Sequence, residues 1–296
     1  MMVAAATPGR RREVTRTTAV LVAVAATAAL AGGCAGSGVA AERGTGDARA
    51  EQVPAGTVTG AAGALTRAGS AQVTTSMRMA SGGTWLTITG TGGFDFARRR
   101  GELTLVLPKD AAGAEEHRPI TELLTPGSLY MKDRGAGVPP GKWVRVDTTR
   151  LADGNLVTGG ATEPLAAAEL LGGARDVTYV GEEVLRGTKV RHYRGTTDIG
   201  RAAQAAAPAV RGPLAAAAKG FAVTSVPFDA WLDAQGRLRQ VSQRFTFSAA
   251  GSRQGAGRNV TVVSTTRFDR FGTPVPVIMP RPADIWTGKI VSAQSG

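Results

Sequence analysis

The chain has 296 residues, with 35 Lys and Arg against 23 Asp and Glu, a formal charge of +12, 43% hydrophobic side chains and a single cysteine. A basic balance of this size draws a protein to anionic lipid headgroups, acidic wall polymers or nucleic acid, through an attraction that salt weakens. Nucleic acid is excluded by the lack of a basic helix with aromatic interleaving and by the export segment that opens the chain.

That segment has three parts. Arg10, Arg11, Arg12 and Arg16 stand against one acid, Glu13, and an apolar run of Ala, Val and Leu then extends from about Thr18 to Leu30. The run is too short to span a bilayer comfortably, and small residues rather than charges close it. It ends in Leu30-Ala31-Gly32-Gly33-Cys34, which resembles the bacterial lipobox, with Ala31 where Leu is usual and Leu30 one place further out. The resemblance implies cleavage before Cys34 and lipid on its sulfur. Lipidation also removes the liability of an unpaired thiol in an oxidising compartment. An ordinary secreted protein and an uncleaved anchor are the alternatives. Residues 1–33 are therefore read as a lipoprotein signal peptide. The residues after Arg11-Arg12 are a weak twin-arginine signal, which favours the general secretory route. Cleavage removes four Arg and one Glu, so +12 becomes +9. The expected location is the outer face of the cytoplasmic membrane, lipid-anchored. Richness in Ala, Gly and Arg resembles proteins of high-GC actinobacteria.

Residues 34–56 are small, polar and charge-mixed, without apolar periodicity, and read as a flexible tether with a reach of about 25 Å. Residues 57–284 form one domain, and 285–296 a C-terminal tail. The domain reads as antiparallel strands. Val73, Thr75, Met77 and Met79 share one face, opposite Gln72, Thr74, Ser76 and Arg78. Leu86 and Ile88, then Phe94 and Phe96, continue the alternation across an expected turn at Gly90-Thr91-Gly92-Gly93. Arg98-Arg99-Arg100 is a solvated turn before Leu103, Leu105 and Leu107. Leu129 with Met131, Val144 with Val146, and Val177 with Tyr179 follow. Phe228, Ala230 and Leu232, then Val241, Phe245 and Phe247, then Val260, Val262 and Phe268 complete the pattern. Asp233-Ala234-Gln235-Gly236 is a hairpin turn. Helices are expected near Gly60–Ala68, over Glu163–Leu171 with Thr162 as N-cap, and from Asp198 to about Lys219 with breaks at Pro208 and Gly212-Pro213. The fold class is α+β, an antiparallel sheet with helices grouped on one face.

Four stretches carry a family resemblance. Gly127-Ser128-Leu129-Tyr130-Met131 with Pro140-Gly141-Lys142-Trp143-Val144-Arg145-Val146-Asp147 resembles a hairpin of actinobacterial LppX/LprG-type lipoproteins. Glu182 to Thr188 through His192 to Thr196, with Asp198 opening a helix, resembles their central hairpin. Ala230 to Leu238 resembles the next, and Phe268 to Val275 the closing strand. The resemblance implies a LolA/LolB-like fold: a strongly curved antiparallel sheet, an incomplete barrel, with helices covering its concave face. It also implies an apolar cavity between the two layers, holding acyl chains of a lipid or lipoglycan.

Candidate cavity residues are Met77, Met79, Phe94, Phe96, Leu103, Leu105, Met131, Phe228 and Leu232; an ordinary core would bury the same side chains. Enzyme chemistry finds little support. There is no Gly-x-Ser-x-Gly elbow and no phosphate-binding glycine loop, and His117 and His192 lack metal-ligand spacing, so no cofactor is expected. His192 reads as a pairing residue in a hairpin, and Asp229 and Asp233 share the solvent face with Trp231. The expected function is lipid binding or carriage. A sensory envelope module with an unknown protein partner and a wall-associated structural protein are the alternatives.

Overall fold

The computed structural model describes residues 51–81, 84–108, 118–135, 137–221, 223–248 and 259–288. The signal segment, Cys34 and His117 lie outside them. In chain order the elements are β1 (Glu51–Gln52), α1 (Gly56–Thr59), α2 (Ala61–Ala68), β2 (Ser70–Ser81), β3 (Thr84–Asp95), β4 (Arg100–Val106), β5 (Ile120–Thr125), β6 (Ser128–Lys132), β7 (Trp143–Asp147), α3 (Pro164–Glu169), β8 (Ala174–Leu185), β9 (Thr188–Asp198), α4 (Ile199–Ala205), α5 (Pro208–Gly220), β10 (Ser225–Leu232), β11 (Leu238–Ser248) and β12 (Asn259–Asp269).

The described strands form one sheet in the order β1-β8-β9-β10-β11-β12-β2-β3-β4-β5-β6-β7, with every neighbouring pair antiparallel. From the middle of the sheet, β2 to β7 step outward to one edge. The chain then crosses one face through residues 148–173, which include α3, and reaches β8 near the opposite edge. After β9, α4 and α5 cover the same face, and β10 to β12 step back until β12 pairs with β2. β1 and β7 do not pair, so the sheet stays open. The α+β class with a large open antiparallel sheet is as expected.

One expected turn is not a turn. Strand β3 runs unbroken through Gly90-Thr91-Gly92-Gly93, paired with β2 from Thr84↔Ser81 to Asp95↔Ser70. These glycines allow close approach instead. A Cβ at Gly92 would lie 1.9 Å from the Glu102 carbonyl oxygen, and one at Gly90 would lie 2.5 Å from Leu105 Cδ2 and Thr75 Oγ1. Glycine inside a strand marks tight bends and near contacts of this kind. The chain reverses between Ser81 and Thr84.

The helices follow their caps. Asp198 opens α4 by accepting from the Arg201 amide at 2.8 Å, and Pro208 stands at the start of α5. Proline at the first turn sacrifices no helical hydrogen bond. Gly212-Pro213 does not interrupt α5, contrary to expectation. Glu163, rather than Thr162, caps α3 by accepting from the Ala166 amide at 3.0 Å, and the helix tightens into a 3₁₀ turn at Leu170–Gly173. Thr162 is fully buried and bonds instead to Leu156 O (2.8 Å) and Ser264 Oγ (2.7 Å), tying the crossover to β12.

Order also begins earlier than the expected tether end. Glu51–Gln52 pair with Tyr179 and Thr178, and the Val53 amide donates to Val177 O at 2.9 Å. At the other end, Ile285 bridges Trp143, and the Trp286 amide donates to Trp143 O at 2.7 Å.

Candidate functional site: the layer between sheet and helices

The inner face of the sheet is set by register. One cross-strand row reads Val73, Gly92, Leu103, Glu122, Met131 and Val144, from β2 to β7. The next reads Thr75, Gly90, Leu105 and Ile120. Side chains of one row point to one side because the strand period is two. All nine residues expected to line a cavity lie in this layer. Phe94, Phe96, Leu103, Leu105, Met131, Phe228 and Leu232 belong to one apolar cluster with α1, α2 and α3. Met77 belongs to a second with α4 and α5, and half-buried Met79 packs against both. The helical contribution is small-sided: Ala166, Ala167 and Ala168 from α3, and Ala202, Ala203 and Ala217 from α4 and α5, are buried there.

The layer is also unexpectedly polar. Gln243 is buried and donates from Nε2 to Ala167 O at 2.9 Å. Thr266 is buried with no protein partner for Oγ1. Glu122 is 1% exposed, and its Oε1 likewise has no protein hydrogen-bond partner. Burial pushes its carboxyl up to about 8, against a smaller opposing pull from Arg134. A second polar group sits where α3 and α5 meet the β5–β6 turn. Arg99 pairs with Glu169, whose carboxyl is raised by burial despite that partner. Glu163 is pushed up to about 7 by burial, against its bond from Ala166 N and the Arg99 charge. The cavity beside them, lined by Arg99, Asn155, Glu163, Pro213 and Leu214 among others, holds about 60 Å³. That is room for a water or two, well below the roughly 300 Å³ of small ligand sites.

Arg99 is thus bound inward rather than solvated as expected for its turn, while Arg98 is exposed and pairs with Asp95 at 2.8 Å.

The layer reaches the surface at the end of the sheet where β4 and β6 finish and β5 begins. A cleft of about 240 Å³ there is lined by Leu107, Arg118, Ile120, Asp133, Arg134 and Gly135. Ile120 is buried in the larger cluster and Leu107 packs against it. Arg134 donates from its guanidinium to Gly159 O at 3.0 Å, fastening the crossover over this mouth. Antiparallel pairing brings the β2–β3 hairpin to the same end, with Trp85 51% and Leu86 40% exposed, and Val106, 49% exposed, ends β4 opposite Thr89.

The outer face carries His192, stacked on Trp231 with ring centroids 4.3 Å apart. Its Nε2 lies 2.7 Å from Asp229 Oδ1 and its Nδ1 2.8 Å from Glu183 Oε1. Trp231 Nε1 donates to Glu183 at 2.9 Å, and Arg194 Nε to Asp229 at 3.0 Å. The cluster joins β8, β9 and β10. Asp233 is not on that face as expected. It is buried in the turn after β10, where it accepts from the amides of Gln235 and Arg237 and from Arg237 Nε. A register shift between Trp231 and Leu232 ends the alternation there. Among the described residues no group of three or more His, Cys, Asp or Glu is placed to hold a metal, and no helix is long and apolar enough to cross a membrane.

Several solved structures are similar to the chain. The chain is similar to the lipoprotein LppX of Mycobacterium tuberculosis, with 13% identity, 76% of this chain and 97% of that one covered, and a TM-score of 0.43. It is similar to LprF of Mycobacterium bovis, with 14% identity, coverage of 78% and 99%, and a TM-score of 0.39. A LolA superfamily protein of Nitrosomonas europaea follows, with 12% identity, coverage of 75% and 94%, and a TM-score of 0.31. No family model and no curated protein matches the chain.

Glu122 was missed by sequence reasoning, although a signal existed. Ile120, Glu122 and Leu124 alternate along one face, so two apolar neighbours already point the carboxylate inward. Gln243 between Val241 and Phe245 gives the same signal in β11.

Proposed function

We propose that the protein is an extracytoplasmic lipoprotein, anchored through Cys34, that binds an acyl-chain ligand between its sheet and its helices. The observation that carries this reading is the make-up of that layer. Flexible Met and aromatic side chains on the sheet meet small alanines on the helices, and a cleft lies at the margin of this layer beside Leu107 and Ile120. Alanine faces shed little buried surface when a helix lifts. Each ligand methylene taken from water into the layer returns about 0.8 kcal/mol. The ligand itself widens the layer, as α5 and the crossover lift from the strands.

The test is a titration with a fluorescent fatty-acyl probe of the parent and of Met79→Trp, Leu105→Trp and Met131→Trp, with thermal unfolding of each. The expected result is probe uptake by the parent and reduced uptake by the variants while they stay folded. Overpacking a tight core instead costs about 1–3 kcal/mol. Three destabilised variants, with no uptake by the parent, would refute the reading.

A further inference from the structure

Resting on that reading, we propose that Glu122 is the polar contact within the layer for an uncharged acyl lipid, taking the lipid's hydroxyl or ester group beneath the cleft at the end of β4–β6. Its place is fixed by register: Leu103 on one side and Met131 on the other are its direct cross-strand partners. Both are in the apolar cluster, as are Ile120 and Leu124, which flank Glu122 on the same face of β5. Among these side chains Oε1 has lost water and gained no protein partner. A buried polar atom left in that condition destabilises a fold by about the strength of a hydrogen bond or more, and folded proteins rarely keep one. A leucine would fill the row without that cost.

Glu122 lies one cross-strand row inward of Ile120 and the cleft. Ile120, a wall of the cleft, precedes it on the same face of β5, and Arg134, which fastens the crossover over the mouth, is the cation that acts on its carboxyl. Burial keeps the proton on this carboxyl at neutral pH, so it offers both a donor and an acceptor. That pair suits a hydroxyl or an ester carbonyl. It offers no charge to balance a phosphate or an ammonium, so the part of the lipid it takes is an uncharged one.

The experiment uses the full chain with Cys34→Ala in solution, and compares binding of radiolabelled 1-palmitoylglycerol with binding of radiolabelled hexadecane, which has no polar group. Glu122→Gln keeps a donor and an acceptor and is expected to bind 1-palmitoylglycerol within about threefold of the parent. Glu122→Leu is expected to bind it about tenfold more weakly, the loss of one hydrogen bond, while binding hexadecane as tightly as before or more tightly. Glu122→Gln also guards against a folding defect in the leucine variant. Unchanged binding of 1-palmitoylglycerol by Glu122→Leu, or an equal loss of both probes, overturns the inference and leaves the broader function standing. A parent that takes up neither probe overturns both.

Discussion

The buried carboxyls make pH a probe of single residues. In the unfolded chain Glu122 titrates near its ordinary 4.5, whereas in the fold it titrates at about 8. Between these values the folded state holds a proton that the unfolded state has released, so stability falls as pH rises from about 4.5 to about 8 and levels off above. Glu122→Gln carries no such proton. The variant should gain on the parent steadily across that window, by a total on the order of a few kcal/mol. Glu163 and Glu169, also raised by burial, leave a residual slope of the same sign in the variant. Urea unfolding of both proteins at pH 5, 6.5 and 8 measures the difference. A constant gap would place the Glu122 carboxyl in water.

At the scale of elements, glycine does two different things that look alike as letters. Gly90, Gly92 and Gly93 spell a turn, yet they lie within β3, and at Gly92 the β4 backbone passes too near for any side chain. Turn chemistry is local and can be read from neighbours in sequence, but close approach depends on a strand ten residues away. Gly92→Ala should therefore destabilise by about 1–3 kcal/mol or more, since its Cβ meets backbone that cannot step aside. Gly63→Ala, exposed in α2 with only the Arg67 guanidinium near its Cβ at 3.4 Å, should stabilise by about 0.5–1 kcal/mol through helix propensity. Thermal unfolding of the two variants should give shifts of opposite sign. The alternation of β2, β4 and β10, and the Asp198 cap, were legible because period and cap chemistry are local. The Glu163 cap, the burial of Thr162 and the pairing of Arg99 with Glu169 were not, because each depends on the crossover folding back over the sheet.

For the whole molecule, one open sheet with a helical cover is the frame on which the proposed anchoring and ligand binding rest. Anchoring is the sequence-based part of this picture, since Cys34 lies outside the described residues. Cys34→Ala should leave the protein unprocessed or released into the medium, as judged by fractionation and the mass of the mature N-terminus. A variant cleaved normally and held to the membrane as firmly as the parent would remove lipid on Cys34 from the picture. Two acyl chains give the stable attachment that a single chain does not.

In the proposed function, acyl chains occupy the layer between sheet and helices. Native mass spectrometry of the protein purified from its own host tests it most directly. The expected spectrum shows the folded chain with a further noncovalent mass, released on collisional activation and identified as a lipid bearing acyl chains. A bare polypeptide mass under the same gentle conditions, unchanged after incubation with 1-palmitoylglycerol, would contradict it.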